Sequence, residues 1–444
     1  MALGADKVSQ NETELSRHSK DESFHPPVKP EVVCFPENTD DVVLIMDIAD
    51  SFNVAVTPYG AGSGLEGQAI PVQKGITINF ERMNNIVTFS PEDLTITVQP
   101  GLTRLQLNDI INRQGLHFPI DPGADATIGG MVATNASGTT AVKYGSMRDQ
   151  VLDLEVVLAN GKIIHTGTRA KKSSSGYHLS GLFSGSEGTL GIITEITLRL
   201  HGIPEHVVAA RCTFDDISSC AEAAQMILLS GIPVLRMELI DDQSIAAINA
   251  YGDYDIPIAH SLFFEFAGTK AGVEEEAATA QELMRELGCN HWETANTSKE
   301  RAQLWKARHE MAYAYRHVKG VAVTGADVCI PISKLPEMVD FARELIEESG
   351  LKGGIVGHVG DGNFHTVVSF DPTIPGELDK AEYTNEALAL RAIKLGGTCT
   401  GEHGVGLGKR KFQEAEHGNA IDVMKQMKQM LDPKNLLNPG KIFS

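Results

Sequence analysis

Residues 57–72 read TPYGAGSGLEGQAIPV, and the fold turns on how that run is understood. Gly62, Gly64 and Gly67 satisfy G-x-G-x-x-G, the dinucleotide fingerprint in which a helix opens at the third glycine. Here Pro71 follows four residues after Gly67, and the chain passes straight into GITINF (75–80), a strand pattern. A helix has no room to form between them, so the Rossmann reading is rejected. The surviving physics is local: successive small residues let main-chain N–H groups form a concave nest that can hold a pyrophosphate without a helix dipole. A flexible loop is the plainer alternative.

Two further runs weigh against a mere linker. PIDPGADATIGGMVATNASGTTAVKYGSMRD (119–149) and SGYHLSGLFSGSEGTLGIITEITLRL (175–200) are rich in Gly, Ala, Ser and Thr between strand patterns. Small side chains there allow an extended ligand to approach backbone closely. Around them lie short β-rich runs, NVAVTPYG, LTITVQP and VLDLEVVLANGKIIHTG, with a helical pattern, TDDVVLIMDIADSF, before the first.

After Ile203-Pro204 the character changes. Strand patterns VVAARCTF, VLRMELI and HSLFFEFAG alternate with amphipathic helical stretches near 216–230, 271–287, 298–318 and 333–349, predicting helices packed over an antiparallel sheet. The tail carries a helix, NAIDVMKQMKQML, whose Met424, Met427 and Met430 recur at helical spacing and read as core packing. At 444 residues the chain exceeds the roughly 250–300 residues that one core serves. The expected organisation is an N-terminal extension (1–25), a first domain (26–203) and a second (204–444).

A hydrophobic fraction of 42% with 22% charged residues is that of a globular chain, and no run approaches the length of a spanning helix. A net charge of -20 repels nucleic acid and anionic membranes. The six cysteines have no C-x-x-C spacing, so neither a disulfide framework nor an iron–sulfur centre is expected, and a reducing cytoplasm is the simplest home. The first 24 residues carry acids throughout and no apolar core, unlike a secretory or transit peptide.

Chemistry enters at GIVGHVGDGNFHTVVSF (354–370). A two-residue Asp361-Gly362 hairpin turn would set His358 directly opposite His365, close enough for both rings to meet one ion. The bland alternative is a hairpin decorated with two polar rings. GTCTGEHGVGLGKRKF (397–412) adds Glu402 as a third, anionic ligand. Nitrogen and oxygen donors without thiolate suit Zn²⁺ or Mn²⁺, and iron is compatible with them. His403 would project to another side of an extended segment and is the candidate general base.

Together these segments resemble the vanillyl-alcohol-oxidase-type FAD-linked oxidases, with an FAD-binding domain of the PCMH type. The motifs HVGDGNFH, TGEHGVGLGKR and LNPGK are similar to those of the cytochrome- or quinone-linked D-lactate dehydrogenases and of the glycolate oxidase flavin subunit. The resemblance runs over nearly the whole chain and implies an α+β fold of two domains. It implies that Pro58, Gly60, Ala61, Gly62, Ser63 and Gly64 cradle the pyrophosphate of FAD. Pro122, Gly123, Thr127, Gly129, Gly130, Ser137, Gly138, Glu187, Gly188 and Ile193 would line the rest, with Asn438 reaching back from the tail. It points to His358, His365 and Glu402 as metal ligands. The first loop has neither the histidine nor the cysteine that tethers flavin in some members, so FAD is expected to be non-covalent.

On pattern alone Arg308 is a solvated helix residue. The resemblance makes it a substrate residue, its planar fork suited to a carboxylate. Relatives acting on a longer dicarboxylate carry another basic residue in the region matching Gly325, where this chain has none. The resemblance therefore implies oxidation of a short D-2-hydroxy acid, D-lactate before glycolate. The expected partners are that acid and an external electron acceptor (a quinone, a cytochrome or an electron-transfer protein), with no nucleic acid. A homodimer and peripheral membrane contact are left open. A metal-dependent hydrolase, which leaves three flavin-shaped loops unexplained, and a non-catalytic subunit of an oxidase complex are the rivals.

Overall fold

The computed structural model describes residues 3–318 and 320–443. The chain forms two compact units, one of residues 1–138, 144–203 and 402–444, the other of 139–143 and 204–401. Helices and sheets are mixed in an α+β arrangement.

In the first unit, Val32–Cys34, Ile76–Asn79 and Val56–Tyr59 pair in parallel, and Val8–Ser9 adds an antiparallel edge. Between Val56–Tyr59 and Ile76–Asn79 no α-helix intervenes. Thr39–Phe52 crosses from Val32–Cys34 to Val56–Tyr59, which flank Ile76–Asn79 in the sheet, with Val42, Ile45, Met46 and Ala49 buried at helical spacing. A second sheet of five strands, ordered Ile86–Ser90, Thr95–Val98, Ile192–Arg199, Val151–Val157 and Ile163–His165, is antiparallel throughout.

Two expectations about chain segments are revised. Residues 1–25 are an integral part of the unit: Val8–Ser9 joins the sheet, and His18 is 0% exposed. Residues 402–444, expected with the second domain, pack in the first unit because their polar groups find partners there. Val56 N–H donates to Leu436 O (2.7 Å) and Asn438 N–H to Val56 O (2.7 Å), and Lys428 Nζ donates to the carbonyls of Thr189 (2.8 Å) and Leu437 (2.9 Å). The tail helix, Ala420–Leu431, does not bury its methionines: Met430 is 72% exposed and no residue of the helix is fully buried.

The second unit is built on an antiparallel sheet ordered His291–Ala295, His206–Phe214, His260–Gly268, Arg236–Ile240, Lys352–Gly357, Asn363–Phe370 and Ala322–Thr324, with Asp327–Cys329 also paired to Asn363–Phe370. Its two faces differ. Met237, Leu239, Leu262, Phe264, Val328, Phe364 and Val368 join an apolar core with the helices Ile217–Leu229, Leu335–Ser349 and Glu377–Lys394. The alternate residues Glu238, Ile240, Phe263, Asp327 and His365 point the other way. There Ile240 and Phe263 pack with Trp305 and Tyr315 of the helix Ser298–Arg316. No helix among the described residues is long and apolar enough to cross a membrane.

Candidate active site

In the first unit the strand Val56–Tyr59 delivers Pro58 and then the loop Gly60–Gly64. Gly62 has φ +71°, and an added Cβ would lie 2.1 Å from the Tyr59 hydroxyl, so only glycine fits. Among the described residues, the main-chain N–H groups of Gly60, Ala61, Gly62, Ser63 and Gly64 take no hydrogen bond. Consecutive unsatisfied donors in a tight turn fit an anionic pyrophosphate. The N-terminal segment braces this loop, with Glu22 N–H donating to Gly64 O (3.0 Å). The buried His18 stacks edge-on to Tyr59 at 4.5 Å. Its Nδ1 donates to Glu14 O (2.7 Å) and its Nε2 accepts from Asn79 (2.7 Å), the pattern of a neutral ring, and burial lowers its pKa accordingly.

Several residues expected to line a flavin also bond within the protein. Thr127 caps the helix Ile128–Thr134 through Gly130 N–H (3.2 Å), Gly129 N–H donates to Pro100 O (2.9 Å), and Ile193 is buried in the core under the five-stranded sheet. Gly138 lies against Asp121 and Gly188 against Pro58, where an added Cβ would come within 2.5 Å and 2.4 Å respectively. Pro122 and Gly123 lie between the strand Leu116–His117 and the helix Ile128–Thr134, and Ser137 follows that helix.

Glu187 is turned toward the tail. Its Oε1 accepts from Val405 N–H (2.6 Å) and Oε2 from Gly406 N–H (2.9 Å). Burial raises its pKa to about 7, against the lowering effect of those N–H donors, of Gln68 and of Lys441. Asn438 Nδ2 donates to the carbonyls of Glu187 (2.7 Å) and Gln68 (3.0 Å), and Gln68 Nε2 donates to His403 O (2.6 Å). Glu402 and His403 therefore head a segment clamped at both its main chain and its next turn. That segment is bent, not extended as expected, and His403 Nε2 comes to 4.0 Å from Glu402 Oε1.

In the second unit the hairpin register differs from the expected one. Val356, not His358, is opposite His365, and the five residues 358–362 form the loop. The other edge of Asn363–Phe370 explains the difference. Asp327, Val328 and Cys329 pair with His365, Phe364 and Asn363, and Ile330 N–H donates to Gly362 O (3.1 Å). Asp361 Oδ1 accepts from Asn363 N–H (3.1 Å), and Gly362 at φ +86° leaves no room for a side chain against Ile330 O. The shift is two residues, an even number, so His358 stays on the face of His365. Their rings stand edge to face at 5.3 Å, offering nitrogens within 4.8 Å of each other.

Two carboxylates that sequence reasoning missed organise these rings. Glu238 is 0% exposed; its Oε1 lies 2.5 Å from His358 Nδ1 and its Oε2 accepts from Arg308 Nε (2.7 Å). Burial pushes its pKa up, but the electrostatic attraction and hydrogen bonds of His358 and Arg308 together hold it below the usual value. Asp327, equally buried, lies 3.4 Å from His365 Nδ1 and accepts from Asn363 Nδ2 (2.8 Å) and Thr400 Oγ1 (2.9 Å). Their signal was alternation: in RMELI, Glu238 must face away from Met237 and Leu239. Arg308 is only 14% exposed, unlike a solvated helix residue, and among the described residues its two Nη atoms take no hydrogen bond. Such an edge suits an anion. Two imidazoles with nitrogens turned toward each other, each backed by a carboxylate, likewise fit a divalent cation.

Comparison with known proteins bears on these sites. A family model described as FAD linked oxidases, C-terminal domain, matches residues 203–442, and one described as FAD binding domain matches 30–167. The chain is 43% identical over 445 residues to a probable mitochondrial D-lactate dehydrogenase of Danio rerio, covering 99% of this chain and 90% of that one. It is 40% identical to the mitochondrial D-lactate dehydrogenase (cytochrome) of Arabidopsis thaliana (99% and 78% covered) and 34% identical to the glycolate oxidase subunit GlcD of Bacillus subtilis (94% and 89%). Among solved structures, p-cresol methylhydroxylase superposes with a TM-score of 0.81 at 20% identity, covering 99% of this chain and 95% of that one. That likeness carries the fold alone.

Proposed function

The chain belongs to the FAD-linked oxidases, and from that premise we propose that it oxidises a D-2-hydroxy acid to the 2-oxo acid, D-lactate to pyruvate in first place, passing electrons to an external acceptor. The observation that carries this reading is the Nη edge of Arg308, which takes no hydrogen bond among the described residues, over the same sheet face as the paired rings of His358 and His365. A cationic fork beside a two-imidazole hairpin suits a small acid bearing a carboxylate and a neighbouring hydroxyl.

Bound FAD would supply the hydride acceptor for the hydrogen leaving Cα. Its pyrophosphate is assigned to the free N–H groups of Gly60–Gly64. We assign His358, His365 and Glu402 as the residues that would hold a divalent ion, Zn²⁺ or Mn²⁺, which would supply Lewis acidity at the substrate hydroxyl. Arg308 holds the substrate carboxylate through both Nη atoms, fixing which hydrogen of Cα faces the cofactor. His403 takes the hydroxyl proton at Nε2, the nitrogen turned toward Glu402, its main chain steadied by Gln68. A short substrate is favoured because the region of Gly325 carries no basic side chain for a second carboxylate, and an added Cβ at 325 itself would lie 1.9 Å from Thr366 O.

Glycolate is the second reading, favoured by the likeness to the Bacillus subtilis subunit. The acceptor is proposed to be a quinone, a cytochrome or an electron-transfer protein. A cytoplasmic setting accords with six free cysteines, although relatives from fish, plant and yeast are named as mitochondrial. The decisive experiment mixes the protein anaerobically with D- and L-lactate, glycolate and D-2-hydroxyglutarate and follows loss of the flavin's visible band. Fast bleaching by D-lactate alone is expected; bleaching by none, or a colourless protein, overturns the proposal.

A further inference from the structure

Glu238 does more than neutralise a neighbour. Its two oxygens are divided between elements distant in sequence, Oε1 toward Nδ1 of His358 in the hairpin loop and Oε2 toward Nε of Arg308 in the helix Ser298–Arg316. The carboxylate itself stands on the central strand Arg236–Ile240. We propose that Glu238 is a positioning residue that sets the metal-facing nitrogen of His358 and the substrate-facing edge of Arg308 at once, so that ion and substrate carboxylate are held at a fixed separation. The inference rests on the functional reading above and deepens it.

Arginine Nε is always a donor, so the carboxylate accepts there, and its second oxygen likewise accepts from the imidazole. His358 is then held with its proton on Nδ1 and its lone pair on Nε2, the arrangement in which an outer carboxylate orients a ligating histidine and strengthens it as a ligand. At the other end, engagement through Nε alone rotates the guanidinium so that the Nη pair is left for a second anion.

A buried carboxylate is poorly suited to stability alone. Removing its charge from water costs several kcal/mol, and well-packed apolar residues often serve a core as well or better. On this strand they are at hand, since Met237 and Leu239 fill the opposite face. The polar choice at 238 ties together the two assigned groups of this sheet face, His358 and Arg308, which stand on elements distant in sequence. It follows that disturbing Glu238 perturbs metal binding and substrate binding together, while the flavin, whose assigned residues lie in the other unit, is untouched.

The test compares wild type, Glu238→Gln and Glu238→Asp as full-length holoprotein. Mn²⁺ affinity is measured by calorimetry after chelator treatment, D-lactate KM and kcat by steady-state turnover at saturating Mn²⁺, and FAD occupancy and Tm in parallel. Glutamine leaves one partner facing an amide N–H₂, so Mn²⁺ affinity should fall about 10- to 100-fold and KM should rise at least tenfold, with FAD occupancy retained. Aspartate keeps the charge but falls short of both partners, and intermediate losses in the same two quantities are expected. A Gln variant that loses FAD and Tm along with everything else, with a folded Asp variant equal to wild type in Mn²⁺ affinity and KM, overturns the proposal. So does a folded Gln variant unchanged in both. If wild type itself binds no Mn²⁺ and does not turn over D-lactate, the functional reading fails and takes this inference with it.

Discussion

Asn438 donates its side-chain amide to the main-chain carbonyl of Glu187 over 2.7 Å, although 251 positions separate the two in sequence. The same amide reaches Gln68 O at 3.0 Å, and the side chain is 1% exposed. One residue of the tail thus satisfies the carbonyls of two buried residues. Asn438→Ala leaves both unpaired, at about 1–3 kcal/mol each. Thermal denaturation should show a clear drop in Tm, and FAD should dissociate more readily on dilution; unchanged values for both would remove Asn438 from this role.

Glu187 gives a pH signature. Its folded pKa, raised to about 7 by burial from an ordinary 4.5, means that the folded state binds more protons than the unfolded one between those values. The stability contributed is complete below pH 4.5 and is lost as pH rises through 7. The full amount is on the order of 3 kcal/mol. Glu187→Gln should flatten the fall in denaturant midpoint between pH 5 and pH 8, and a variant with the wild-type slope would contradict the assignment.

Removing either paired imidazole tests the metal proposal without touching the flavin loops. His358→Ala and His365→Ala should each lose Zn²⁺ or Mn²⁺ on dialysis, by elemental analysis, and with it most turnover. The flavin spectrum should persist. Chelator treatment of wild type should reproduce the effect, and added metal should reverse it.

Arg308→Lys keeps the charge but cannot reach the carboxylate with two parallel donors while holding Glu238. D-lactate KM should rise tenfold or more. Arg308→Ala additionally strands a buried carboxylate, a change of about 3–5 kcal/mol, so its Tm should fall well below that of the lysine variant.

His403→Ala removes the proposed proton acceptor. Flavin reduction by D-lactate, measured by stopped flow, should slow by roughly 10²–10⁴-fold with Mn²⁺ affinity retained. A rate within tenfold of wild type would move the base elsewhere.

Much of this was legible in the sequence because it depends on local physics. Pro71 and the strand after it excluded a nucleotide-binding helix, and no α-helix stands between Val56–Tyr59 and Ile76–Asn79. The apolar period of Thr39–Phe52 marked a helix with the same bounds. What escaped depends on partners distant in the chain. The Asp361-Gly362 turn signal sets a register only if the hairpin stands alone; here Asp327–Cys329 pairs with the second strand and moves it by two residues. Glu238 was hidden for a related reason, since a lone acid in an apolar strand acquires meaning only when Arg308 and His358 arrive from elsewhere. The spacing of Met424, Met427 and Met430 was read correctly as helical, but periodicity does not say that a stripe is covered.

Because residues 402–444 close the first unit, its assembly cannot finish in the order in which a ribosome delivers it. When residue 203 emerges, Val56 still lacks its Leu436 and Asn438 partners, and the Glu187 carboxylate still lacks Val405 and Gly406. The loops assigned to the nucleotide therefore lack these partners until residues 405–438 have been synthesised. A clone stopped at the boundary between the two family models would yield an apoprotein prone to aggregation.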